Sequence, residues 1–195
     1  SWSETGVREL SRQLAEVQRE LDALGLLKRD EPVETPYPEQ ELDLVQRLIL
    51  LRKGGPYRNA SLDSLTELAR RAIEVRFEPG EQLWEDGDVA SWGMHIVHGV
   101  VRCEGEGGKR VFRLGADSVI GYIETYGGLP RGYRAVTETR VVGLRGDTEA
   151  FFDALEDNFE LGIAFVGFMA GLLTRLYERL ATEQMKAAAS ERQAG

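Results

Sequence analysis

A chain of 195 residues with 33 acidic against 24 basic side chains carries a formal charge of −9 and a sequence pI of about 4.9, so its overall field repels nucleic acid and anionic membrane surfaces. One cysteine, Cys103, and two histidines, His95 and His98, exclude an internal disulfide framework and a multi-cysteine zinc site and fit a reducing compartment, the cytoplasm. The length suits one medium domain plus an extension, a secretory leader is not expected because no cationic start is followed by an apolar stretch, and the longest nearly apolar run, Leu161 to Leu173, is shorter than a bilayer span requires.

In chain order, Val7, Leu10, Leu14, Val17, Leu21 and Leu24 recur at three- and four-residue spacing with charged residues between them. This stripe predicts a helix that either pairs as a coiled coil or folds onto its own domain. Gly25 is a stop signal, and Pro32, Pro36 and Pro38 make Arg29 to Gln40 an extended linker. A second helix is expected from Glu39 to Arg52, ended by Gly54-Gly55-Pro56. A third starts after a cap at Asn59 or Ser61 and runs to about Ala72. The domain reading is therefore a helical extension over 1–56, a main domain over 57–185 and a tail over 186–195. The extension is read as a docking element for a protein partner.

From Ile73 the period changes to that of strands. Short strands are expected at Ile73–Phe77, Gln82–Trp84, Trp92–Val97, Val100–Cys103, Lys109–Leu114, Ser118–Gly121, Tyr133–Thr137 and Arg140–Leu144, with a hairpin tip at Gly105–Gly108. Short strands separated by glycine-bearing turns point to a sandwich or barrel. Helical patterning returns with Phe151, Phe152 and Leu155, and then with a long helix from about Phe159 to Met185. The fold class that follows is α+β, an antiparallel jelly roll with flanking helices. The long helix has one apolar row of Val166, Ala170, Leu173, Tyr177 and Leu180 and another of Phe165, Met169, Leu172 and Leu176. One row is expected on the domain and the first on a second copy, with Gly167 and Gly171 permitting close approach; the alternative is a helix buried within one chain.

The stretch Val119 to Ala135 interrupts the strands with a different kind of sequence. Gly121 at a strand end, one turn of helix formers, Gly127-Gly128 and then Pro130-Arg131 would gather backbone N–H groups and a guanidinium around one small volume suited to an anion. The candidate ligand-binding residues are Gly121, Tyr122, Ile123, Glu124, Pro130, Arg131, Gly132 and Tyr133. The same dipeptides also serve as ordinary loop punctuation. Elsewhere, His95 and His98 sit three apart on a predicted strand and point to opposite faces, so no shared metal site follows. Cys103 has no assignable histidine partner, and no catalytic residue emerges.

The order Arg76-Phe-Glu-Pro-Gly-Glu-Gln-Leu-Trp-Glu-Asp-Gly-Asp-Val-Ala90, then Met94-His-Ile-Val-His-Gly-Val-Val101, then Leu114-Gly-Ala-Asp-Ser-Val-Ile-Gly121, then Pro130-Arg131, resembles the cyclic-nucleotide-binding domain family of catabolite-activator-like jelly rolls, over about Ser61 to Leu180. The resemblance implies a phosphate-binding cassette after Gly121, with Arg131 pairing with a cyclic phosphate and cyclic AMP or cyclic GMP as the ligand. In the family a glutamate grips the ribose 2′-hydroxyl; here Tyr122 holds that position, Glu124 lies two residues later, and Gly132, Tyr133 and Arg134 replace small and hydroxyl-bearing residues. The cassette is degenerate. After Leu180, the run Ala181 to Gly195 is too short for a helix-turn-helix, so no DNA reader is expected. Two functions compete: a ligand sensor that signals through the long helix to a partner, and a dimeric interaction module that has kept the jelly roll and lost the ligand.

Overall fold

The computed structural model describes the chain apart from residues 28, 30, 54, 59 and 195 and the side chains of 191, 193 and 194; Gly54 and the cap candidate Asn59 thus lie outside the described residues. The first helix, α1 (Trp2–Ala23), starts on Ser1, whose hydroxyl accepts from the Glu4 amide at 3.3 Å. It ends where Gly25 turns left-handed at φ 68°, with the Leu26 amide closing onto the Leu21 carbonyl at 2.8 Å. Helix α2 (Leu44–Lys53) begins five residues later than expected. Asp43 and Gln46 cap each other there, the Gln46 amide donating to the Asp43 carboxylate at 2.8 Å and the Asp43 amide to the Gln46 side chain at 2.9 Å. Helix α3 (Leu62–Arg71) starts from the Ser61 cap.

Eight strands follow: β1 (Ile73–Phe77), β2 (Gln82–Trp84), β3 (Trp92–His98), β4 (Val101–Gly105), β5 (Arg110–Leu114), β6 (Val119–Ile120), β7 (Arg134–Thr137) and β8 (Val141–Asp147). They pair antiparallel as two four-stranded sheets, β1-β8-β3-β6 and β2-β7-β4-β5. Alternation explains the core: Val101 and Cys103 point inward at 0 % exposure while Arg102 faces water. They meet Trp84, Met94, Ile96, Ile120, Ala135 and Val141 between the sheets. This is the expected antiparallel jelly roll. Burial pushes the Cys103 thiol up to about 12, which suits a packing residue.

Between β6 and β7 lies the short α4 (Tyr122–Gly127), and after β8 come α5 (Thr148–Asp157) and α6 (Phe159–Ala194), longer than its sequence signal. These helices and α1 share one apolar core. Val7, Leu14, Val17 and Leu21 of α1 are at most 1 % exposed and join Tyr126, Phe151, Phe152, Phe165 and Met169. The heptad stripe therefore faces the chain's own domain, and the helical extension belongs to the same packed body as α6. The proline-rich segment is strapped down as well. Tyr37 meets the His98 ring at 5.2 Å, Thr35 hydrogen-bonds His98 at 3.1 Å, and Arg76 donates to the carbonyls of Pro38 and Gln40.

Two residues of the expected dimer row are corrected by burial. Leu173 and Leu180 are 7 % and 5 % exposed within a single chain and pack in the α1–α6 core, whereas Tyr177 of the same row is 43 % exposed. Ile163 and Phe159 add to the outer face. By length and composition Phe159–Ser190 is apolar enough to cross a membrane, contrary to the shorter run read from sequence, but Leu161, Phe165, Met169 and Leu173 are spent on the chain's own core.

Candidate functional site

A cavity of about 630 Å³ opens between the β5 face, α4, the turn at 129–133 and the inner side of α1. All eight predicted ligand-binding residues line it, together with Gln18, Arg19 and Asp22 of α1, Leu27 and Arg29 beyond it, and Arg110, Phe112 and Leu114 of β5. Among the described residues, no group of three or more His, Cys, Asp and Glu side chains is placed to hold a metal.

Arg131 is the largest fully buried side chain, at 2 % exposure. Its Nη1 donates to the Gly121 carbonyl at 2.8 Å and contacts the Thr125 hydroxyl at 3.4 Å, its Nη2 donates to the Trp92 carbonyl, and its Cζ lies 3.8 Å from the Trp84 ring centroid. Gly121 makes this possible. It sits at φ 80°, and a Cβ there would fall 2.5 Å from Arg131 Nη1 and 2.9 Å from the Trp84 ring. The guanidinium expected to pair with a phosphate instead fastens the cassette to β3 and to an indole. Burial draws its pKa down, partly offset by Tyr133, Glu124 and Asp88.

Tyr122 lines the cavity and also packs into the core. Its ring rests on β3 and β8 at Gly93 and Gly146, where a Cβ would meet it at 2.6 and 3.1 Å. It stacks on Tyr126 at 5.2 Å and meets His95 edge-on at 5.8 Å. It is thus committed to the helical core, and burial raises its phenol pKa. Tyr133 is buried against Trp84 and Phe112. Glu124 lines the cavity with its carboxyl pushed up by burial, opposed by Arg131 and Arg110.

The residues that sequence reasoning missed sit on the opposite wall. Asp22 accepts from Arg110 Nη1 at 2.9 Å and from Arg29 Nη1 at 3.3 Å. Arg29 lies over the Phe112 ring at 4.0 Å, and Arg110 Nη2 reaches the Gly132 carbonyl at 3.1 Å. Arg110 pairs in register with Gly105, and a Cβ on Gly105 would lie 2.7 Å from Arg110 Nη2. A glycine paired across a hairpin from an arginine is a local mark that could have found Arg110.

No protein-family model and no curated relative matches the chain. Solved structures do. The sensor domain of the transcriptional regulator DNR from Pseudomonas aeruginosa matches at TM-score 0.59 and 20 % identity, covering 71 % of this chain and 93 % of that one. The N-terminal domain of a transcriptional regulator from Streptomyces coelicolor matches at TM-score 0.58 and 21 % identity, covering 65 % and 93 %. A cyclic nucleotide-binding domain from Methylobacillus flagellatus matches at 0.56 and 18 %, covering 72 % and 83 %. The chain has the cyclic-nucleotide-binding fold. The segment from Gly121 to Arg131 lies between β6 and β7, and the cavity lies beside it. The charges that remain directed at the cavity come from Arg29 and Arg110 as much as from the cassette.

Proposed function

We propose that this chain is a regulatory sensor domain that takes a small anionic ligand in the cavity beside the cassette and transmits its presence through α1 and α6 to a partner. The observation that carries this reading is the cavity of about 630 Å³, whose wall holds Arg19, Arg29, Arg110 and Arg131 against Asp22, Asp86 and Glu124. Such a volume suits a small organic ligand, and the surplus of guanidinium groups favours an anion. Two of the matched solved structures are domains of transcriptional regulators, which agrees with a non-enzymatic role. We read the outer face of α6, with Ile163 and Tyr177 at its centre and the half-buried Val166 and Ala170 beside them, as the contact between two copies, because Ile163 and Tyr177 are exposed apolar side chains on one helix face.

Cyclic AMP and cyclic GMP are the ligands that the resemblance implies. A cyclic nucleotide held in the family's manner would need Arg131 released from the Gly121 and Trp92 carbonyls and an acid in place of Tyr122. That commitment of Arg131 favours a second reading, an interaction module that binds no nucleotide. Calorimetric titration of the chain with cyclic AMP and cyclic GMP separates the two. A saturable heat at submillimolar ligand supports the nucleotide sensor, and flat titrations up to millimolar ligand overturn it.

A further inference from the structure

The carboxylate of Asp22 stands at the end of α1 and joins two guanidinium groups, that of Arg29 just beyond the helix and that of Arg110 on β5. Among the described residues the clasp sets one carboxylate against two guanidinium groups, with the Glu124 carboxyl, pushed up by burial, also near Arg110, and the side chains of the clasp are only 14 to 26 % exposed. A partly buried charge surplus is costly and draws a further anion. Two more donors point the same way: among the described residues, the buried Nε groups of Arg110 and Arg131 find no acceptor, and both arginines line the cavity. Beside them the wall is apolar, with Leu27, Phe112, Leu114, Ile123 and Tyr133.

We propose that Arg29 and Arg110 form the anion subsite of this cavity, that Asp22 occupies the subsite in the closed chain, and that a ligand bearing a carboxylate, sulfonate or phosphate on an apolar body takes it by displacing Asp22. This rests on the sensor reading above but moves the anion from the cassette arginine to the opposite wall. Displacement would loosen the C-terminal end of α1 at Asp22 while Val17 and Leu21 stay in the core. The loop that follows α1 is tied to α6 through Arg179, which donates to the Leu26 carbonyl. Loss of the Asp22 clasp therefore reaches the long helix through one short segment, Ala23 to Leu26.

The test uses the full chain and two probes, 8-anilinonaphthalene-1-sulfonate, an anion on an aromatic body, and cyclic AMP. Asp22→Asn removes the competing internal anion at constant size and should tighten the sulfonate probe about tenfold, while Arg110→Gln should weaken it about tenfold, the range of one charge-assisted hydrogen bond. Asp22→Asn should also speed amide hydrogen exchange over residues 18–24 without ligand. Near-ultraviolet circular dichroism and a cooperative melt identify variants that keep the fold, and Arg29→Gln serves should Arg110→Gln lose it. A probe that binds equally to wild type, Asp22→Asn and the arginine variants overturns the clasp and leaves the sensor reading standing. Absence of binding of either probe to every variant at millimolar concentration overturns both.

Discussion

The guanidinium of Arg131 stands 3.8 Å over the Trp84 ring and donates to the backbone carbonyls of Gly121 and Trp92, so the residue expected to hold a ligand's phosphate holds the protein's own cassette. Hydrogen bonds from a charged group to buried carbonyls contribute about 1.5–3 kcal/mol, and a cation over an indole adds to that. Arg131→Ala should therefore destabilise the fold by about 3 kcal/mol, a fall in Tm of roughly 6–12 °C for a chain of this size. Thermal denaturation by circular dichroism checks it. A variant as stable as wild type that loses only ligand affinity would return Arg131 to the ligand.

Tyr122→Glu, which by sequence restores a ribose acceptor, should instead damage the core. The ring fills the space over Gly93 and Gly146 and stacks on Tyr126, so a carboxylate there loses packing and is buried without a built partner. The expected cost is about 3–5 kcal/mol, with no gain in cyclic nucleotide affinity. Urea denaturation and calorimetry read the two halves separately; a stable variant that binds cyclic AMP more tightly than wild type would contradict the placement of this ring.

His95 gives the fold a pH limb. Burial holds its pKa down to about 4, with Asp117 opposing, so the folded chain keeps it neutral while the unfolded chain takes up a proton below about 6.5. The contribution is fully present above pH 6.5 and is lost as the pH falls toward 4, by roughly 3 kcal/mol. Denaturation midpoints across that window should drop more steeply for wild type than for His95→Gln. Parallel slopes would show that His95 is already accessible in the fold.

The second copy is expected on the outer face of α6 rather than on its buried leucines. Ile163 and Tyr177 are 50 % and 43 % exposed. Ile163→Glu and Tyr177→Glu should halve the mass seen by light scattering while shifting stability by less than about 1 kcal/mol. Leu173→Glu, which buries a charge beside α1, should cost more than about 3 kcal/mol whatever the oligomeric state. A wild-type monomer at micromolar concentration would end the dimer reading.

How much of this was legible follows from which interactions are local. The strands, the α4 turn and the cassette glycines were readable because alternation and left-handed positions such as Gly121 leave local marks. The stripe of α1 was visible, but periodicity shows only that a face is apolar, not what covers it, and its cover is α6 from the far end of the chain. Likewise Pro130-Arg131 marked the cassette without revealing that Trp84 and the Trp92 carbonyl claim the guanidinium. Arg110 reaches Asp22 only through tertiary packing, from 88 residues away in the chain, and that separation hid the cluster it forms with Asp22 and Arg29.

Removal of residues 1–38 is the strongest test of the packed body. If the proline-rich stretch merely separated α1 from the jelly roll, the truncated chain would melt as before. The structure places Val7, Leu14, Val17 and Leu21 at 0 to 1 % exposure against α6 and the α4–α5 aromatics. Each fully buried aliphatic side chain contributes about 1.5–3 kcal/mol, so the four together are on the order of 6–12 kcal/mol, comparable with the whole stability of about 5–15 kcal/mol typical of a domain. The deletion also strips Tyr37 from His98 and Pro32 from the surface of Gly115, where a Cβ would meet it at 2.7 Å. The truncated chain should therefore lose its cooperative melt, and Leu14→Ala alone should cost about 2–5 kcal/mol. A truncated chain that melts cooperatively within a few degrees of wild type would show that the jelly roll stands without α1.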